Sequence, residues 1–234
     1  MNETETTTLG DRDAGSISRS NLKDEVAVRI REQIFTGELL PSERVDQERL
    51  AAMWGISKLP VREALIALEA EGLVNNIARR GSFVVPLTAS EIHIHYHVFG
   101  LVAGYAAELA ATALSAADLE RLEDVNEKMA ASSDAREHET LNFEFHRIID
   151  KAPGSARLNA VLRVLSQSMP REFFQLTVGW HKEAVSDHRL ILAALKARDG
   201  GIANSAMLNH MVKGGQRAVI ALEEAWSRRG SATA

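Results

Sequence analysis

Apolar residues Leu22, Val26, Ile30 and Ile34 recur at every fourth position, with Lys23, Asp24, Arg29, Arg31 and Glu32 between them. That spacing predicts an amphipathic helix that stops near Gly37. A second helical stretch, DQERLAAMW, runs from Asp46 to Trp54 and ends at Gly55, and a third, SKLPVREALIALEAEG, follows within a few residues. Val61, Ala64, Leu65 and Leu68 give the third helix a face to bury, Ser57 stands where it can cap it, and Pro60 is tolerated in its first turn. After Gly72 the period changes. LVNNIARRGSFVVP carries two short β-prone runs around ARRG, the pattern of a hairpin. Short helices about a tight turn at Gly55 to Ser57, followed by such a hairpin, predict a winged helix-turn-helix over residues 21–86.

From Ala89 onward the pattern is helical throughout, with brief breaks and no strand-like alternation. AADLERLEDVNEKMAA, REHETLNFEFHRIIDKA and KEAVSDHRLILAALKARDG each repeat apolar residues at helical spacing, and IANSAMLNHMVKGGQRAVIALEEAWSRR is the last such stretch. SARLNAVLRVLSQSMPREFFQLTV is helical with a kink expected near Pro170. The chain is therefore expected to be mainly α, a winged helix-turn-helix of three helices and a hairpin followed by an all-α bundle over residues 90–230. EIHIHYHVFG sets His93, His95 and His97 at alternate positions, but it runs on into LVAGYAAELAATAL, a helix-forming stretch. On a helix His95 points away from His93 and His97, so the three do not converge on one ion.

Composition narrows the function. With 45% hydrophobic and 25% charged residues the 234-residue chain has the makeup of a globular protein. It has no cysteine, so a metal must be held by histidine and oxygen ligands. The first twenty residues, MNETETTTLGDRDAGSISRS, read as a disordered tail without the apolar core of a signal peptide, and no apolar run is long enough for a membrane span. A cytoplasmic protein is expected. The net charge is −5, and residues 21–86 hold nine Lys or Arg against ten Asp or Glu, so electrostatic support for nucleic-acid binding is local. It is found where a winged helix meets DNA: Lys58 and Arg62 one turn apart near the start of the third helix, and Arg79, Arg80 and Gly81 at the hairpin tip. In the second half Asn142 and His146 are spaced to share a helix face, while His188 and His210 belong to two later helices. Spacing alone does not bring these together.

GELLPSERVDQERLAAMWGISKLPVREALIALEAEGLVNNIARRGSFV resembles the winged helix of the GntR family of bacterial transcription regulators, with VREAL, EGLV and RRG at the family's spacing. The resemblance implies DNA contacts from Ser57, Lys58, Leu59, Arg62, Arg79, Arg80 and Gly81, although Lys58 and Leu59 stand where the family usually has Arg and Thr. A lysine contacts as a point charge without a bidentate fork. The helical half resembles the FCD effector domain of the FadR subfamily, and LNFEFH, SDHRLIL and MLNHM match its metal positions. The resemblance implies a divalent metal, zinc foremost and nickel or manganese otherwise, on Asn142, His146, His188 and His210. Asn142 replaces the usual Asp and brings no charge; Asp150, one turn beyond His146, is a substitute carboxylate. Phe99 and Ala103 align where Arg and Glu are common, which removes a cation from the effector pocket and opens apolar space, and Arg171 is a candidate replacement cation.

What the resemblance implies is a homodimeric repressor that binds a near-palindromic operator in double-stranded DNA and responds to a small carboxylate effector. Two other readings compete with it. One is a metal-dependent hydrolase built on three histidines, although no HExxH, GxSxG or phosphate-cradling loop is present. The other is a metal-free regulator with an apolar ligand chamber.

Overall fold

The computed structural model describes residues 19–168 and 180–230. The tail expected over residues 1–20 lies outside them except for Arg19 and Ser20, which open the first helix, and the kink expected at Pro170 lies outside them altogether. The order is α1 (Arg19–Phe35), α2 (Gln47–Trp54), α3 (Lys58–Ala70), β1 (Val74–Ile77), β2 (Gly81–Val84), α4 (Ala89–Ala113), α5 (Ala116–Ala131), α6 (Ala135–Lys151), α7 (Ala156–Gln167), α8 (Trp180–Lys196) and α9 (Gly200–Gly230).

Local chemistry sets the first part. Asp46 caps α2 by accepting from the Glu48 and Arg49 amides, and Gly55 ends it in the left-handed conformation, so α3 begins at a fixed angle three residues on. Val26, Ile30 and Ile34 of α1 are buried against Val61, Leu65 and Leu68 of α3, whereas Leu22, expected on the same stripe, is 39% exposed. Arg31 fixes the pairing. Its Nε and Nη2 donate to the Glu71 carboxylate at 2.7 to 3.1 Å, joining α1 to the end of α3. Ser57 occupies the N-cap position of α3 but makes no side-chain cap bond, a departure from the expected cap.

β1 and β2 pair antiparallel, from Val74 with Val84 to Ile77 with Gly81, and Arg44 adds an isolated bridge to Phe83. The turn puts Arg79 at φ 63° and Gly81 at φ 106°. A Cβ on Gly81 would also lie 2.8 Å from Arg44 Nε, so glycine is needed there for conformation and for space.

In the bundle α4 lies along α9. Their close approach depends on small residues: a Cβ on Gly104 would sit 2.7 Å from Asn204 Oδ1 and 2.9 Å from the Asn204 carbonyl, and one on Gly100 2.7 Å from Leu208 Cδ1. Gly104→Ala is therefore expected to push the two helices apart and lower stability by about 1–3 kcal/mol. An unchanged urea midpoint would show that the contact relaxes freely.

Two cores result. One joins Phe145 and Ile149 of α6 to Leu122, Ile191 and Met207 inside the bundle. The other holds α1 and α3 but also Ile92 and Tyr96 of α4 and Ala218, Val219, Ala221 and Leu222 of α9. The two longest helices thus run from the bundle into the hydrophobic core of the winged helix. Among the described residues no helix is long and apolar enough to cross a membrane.

Candidate functional site

His146 projects from α6, His188 from α8 and His210 from α9, and their ligand atoms all lie within 4.8 Å of one another. They are the group that converges among the described residues; Asp150, proposed as a substitute carboxylate, is not part of it. Asp150 lines the neighbouring cavity instead, where burial pushes its carboxyl up to about 7. Asn142, one turn before His146, lines the same cavity and buries an Oδ1 without a hydrogen-bond partner.

Packing holds the three imidazoles. The His188 ring is fully buried and stacks on Phe145 at 3.9 Å and 5°. His210 Nδ1 donates to Asp187 Oδ2 at 3.4 Å, and Lys213 Nζ donates to Asp187 Oδ1 at 2.6 Å. Burial alone would raise Asp187, but those hydrogen bonds and the charges behind them outweigh it and hold the carboxyl at about 2. An ionised Asp187 keeps the His210 proton on Nδ1 and turns Nε2 inward. Burial, then His210, holds His146 well below the ordinary imidazole value; burial, then His210 and His146, does the same for His188. Both rings are thus neutral, the form that ligates.

The residues fit a divalent ion. Neither nitrogen of His188, nor Nδ1 of His146, nor Oδ1 of Asn142 has a hydrogen-bond partner, although all are buried. Such atoms are costly unless something electrophilic satisfies them. His146 Nε2 and His210 Nε2 stand 3.1 Å apart. Two nitrogens bound to zinc at 2.0–2.1 Å and a tetrahedral angle would be roughly 3.3 Å apart.

The cluster opens on a cavity of about 570 Å³ between α4, α6, α7, α8 and α9. Tyr96, Phe99, Phe143, Leu162, Trp180 and Met211 form its apolar walls. Of the two α4 positions expected at the effector pocket, Phe99 lines this cavity and Ala103 does not. Ala103 is 1% exposed and packs in the bundle core, because α4 borders the cavity along its N-terminal half and one turn beyond Phe99 it is enclosed by other helices. Arg171 lies outside the described residues. His95 turns into the cavity and its Nε2 donates to the Leu165 carbonyl at 3.1 Å, while His93 and His97 are exposed. The sequence reading missed Asp187, whose signal is its place directly before His188. It also missed Arg217, a cavity residue two helical turns after His210.

At the other end of the chain Lys58, Leu59 and Arg62 are exposed on the first turns of α3, Leu59 at 57%. Lys58 is ion-paired with Glu48 of α2, a partner ten residues away that spacing did not suggest. Arg79 and Arg80 are exposed at the wing tip, and the Arg80 guanidinium lies 5.7 Å from the Phe83 ring centre. Exposed Arg44 joins them beside Gly81, a further cation that only the fold reveals.

Known proteins agree with this architecture. Residues 22–84 match the family described as bacterial regulatory proteins, gntR family, and residues 95–213 match the FCD domain. LutR, an HTH-type transcriptional regulator of Bacillus subtilis, is 30% identical over 203 residues, covering 76% of this chain and 92% of LutR. The probable D-xylose utilization operon transcriptional repressor of Paenarthrobacter nicotinovorans is 26% identical over 208 residues, 83% of this chain and 88% of that one. The structure of E. coli McbR/YncC has the same fold, with a TM-score of 0.62 at 23% identity over 88% of this chain and 98% of its own. These relatives are regulators, which removes the hydrolase reading; Glu144, two residues before His146 in α6, is in any case bound to Arg121 at 2.5 Å. The chain therefore belongs to the GntR family of bacterial regulatory proteins, as a DNA-binding transcriptional regulator with an FCD domain.

Proposed function

We propose that this regulator is a homodimeric repressor whose affinity for a near-palindromic operator is set by a small carboxylate metabolite bound in the bundle cavity beside a divalent metal, zinc foremost. The observation that carries the reading is the convergence of His146, His188 and His210, two of which, His146 and His210, line a ligand-sized cavity. Asn142 would add a neutral oxygen, which leaves the site less charged than one with a carboxylate and brings nickel and manganese into competition with zinc. α4 and α9 border the cavity and also enter the winged-helix core, so a ligand that favours one arrangement of these helices changes how two winged helices meet their half-sites. Exposed Ile94, Val98, Leu101 and Tyr105 form one apolar stripe on α4 and support pairing with a second copy, which a near-palindrome requires. The D-xylose relative is named a repressor, which supports that sign of control.

In the proposed DNA contact, Lys58, Leu59, Arg62 and the cap residue Ser57 face the major groove, and Arg79, Arg80 and Gly81 approach phosphate or the minor groove. The test uses an operator duplex selected from a random library. Arg62→Ala is expected to lose about 1–3 kcal/mol of discrimination against mismatched sites, and loss of both wing arginines to lower the salt slope by about 2 without changing discrimination. Full discrimination by Arg62→Ala in a gel-shift titration would remove α3 from the groove.

A further inference from the structure

We infer that the effector is an organic acid with a bulky apolar body, and that Arg217 is the side chain that holds its carboxylate. The inference rests on the effector reading above and names the ligand class; it needs no ion at the histidines.

His210, Met211, Gly214 and Arg217 all line the cavity from α9. Seven residues are nearly two helical turns, so Arg217 stands on the same face as His210, about 10.5 Å along the axis. His210 and Arg217 thus mark two separated polar points on the α9 wall, and Tyr96, Phe99, Leu162 and Met211 are among the apolar groups of a lining that also carries Asn142, Asp150 and Asn159. A volume of about 570 Å³ is in the range that encloses ligands of drug size, well beyond the needs of a short acid.

Arg217 differs from the other cations of this wall. Arg147, Lys151 and Arg163 are exposed, whereas Arg217 is buried. A buried guanidinium requires an anion. Its partner is Glu183 of α8, which receives both Nε and Nη2 on the single oxygen Oε2. The two halves of this pair are unequally placed: the Arg217 side chain is 10% exposed and that of Glu183 67%. Glu183 can return to water at little cost, and Arg217 cannot. A ligand carboxylate arriving inside the cavity can therefore displace Glu183 and take the guanidinium through a two-pronged contact.

That exchange removes a tie between α8 and α9 one residue before Ala218, where α9 enters the core of the winged helix. Acid binding and the support of the DNA-reading helices are thereby adjacent on one helix.

The test is calorimetric titration of the full-length protein with phenylbutyrate, the uncharged phenylbutyramide, and acetate. Phenylbutyrate is expected to bind at least about tenfold tighter than either of the others. Arg217→Met should erase the preference for acid over amide. Glu183→Gln, which alters only the exposed partner and serves even if Arg217→Met fails to fold, should tighten phenylbutyrate several-fold and leave the amide unchanged. Equal binding of acid and amide by the wild type, acetate as tight as phenylbutyrate, absence of saturable binding, or an unmoved Glu183→Gln would each overturn the inference. A gel shift with the selected operator, run without any acid, separates this from failure of the repressor reading: acid preference without operator binding sinks that reading alone.

Discussion

His188→Ala is expected to abolish the divalent-metal binding proposed for the three-histidine cluster. The wild-type ring is fully buried, stacked on Phe145, and has neither nitrogen in a hydrogen bond. Without it the site retains two imidazoles and the neutral oxygen of Asn142, three ligands in which an uncharged amide stands where zinc sites with an open position have a third nitrogen or a carboxylate. Affinity should fall by more than the roughly 10–100-fold that follows when only a second-shell partner is lost. Asp187→Asn supplies that comparison, because it leaves all three imidazoles and removes the charge that orients His210. The measurement is metal content by mass spectrometry on untagged protein prepared without chelator. Near-stoichiometric metal in the wild type, a partial loss in Asp187→Asn and none in His188→Ala is the expected series. Metal retained in full by His188→Ala would put the ion elsewhere and return attention to His93, His95 and His97.

Phe145→Ala is expected to cost about 3–5 kcal/mol of stability, the range for deleting a buried aromatic ring. Phe145 is 0% exposed and packs at the centre of the bundle core. Its ring is also the surface against which His188 is stacked, so the substitution opens space beside that imidazole. The urea midpoint should fall while the slope stays constant, since native and unfolded states differ by the same surface. Val164, 41% exposed on α7, provides a control whose alanine variant should stay within about 0.5 kcal/mol. A Phe145→Ala loss as small as the control's would mean that the bundle repacks around the gap.

The winged-helix fold is legible in the sequence because its signals are local. Gly55 stops α2 in the left-handed conformation, Asp46 caps it, and the change from helical to alternating period after Gly72 marks the hairpin. Ser57, the residue expected to cap α3, holds the position without the bond, since whether a hydroxyl reaches a backbone amide depends on rotamer and neighbours. Lys58, expected at the DNA contact, is ion-paired with Glu48, which only the packing of α2 against α3 brings near it.

In the bundle the sequence by itself determined which residues share a helix face, because a 3.6-residue period is a property of each segment alone. It separated His95 from His93 and His97 and put Asn142 beside His146. It did not determine which faces meet. The convergence of His146, His188 and His210, the burial of Ala103 where open space was expected, and the lining of one cavity by His210 and Arg217 all depend on how five helices stand relative to one another. That arrangement is decided by tertiary packing: Gly100 and Gly104 let α9 approach α4, and Phe145 fills the space beside His188. Such contacts join residues far apart in the chain, and no local spacing encodes them.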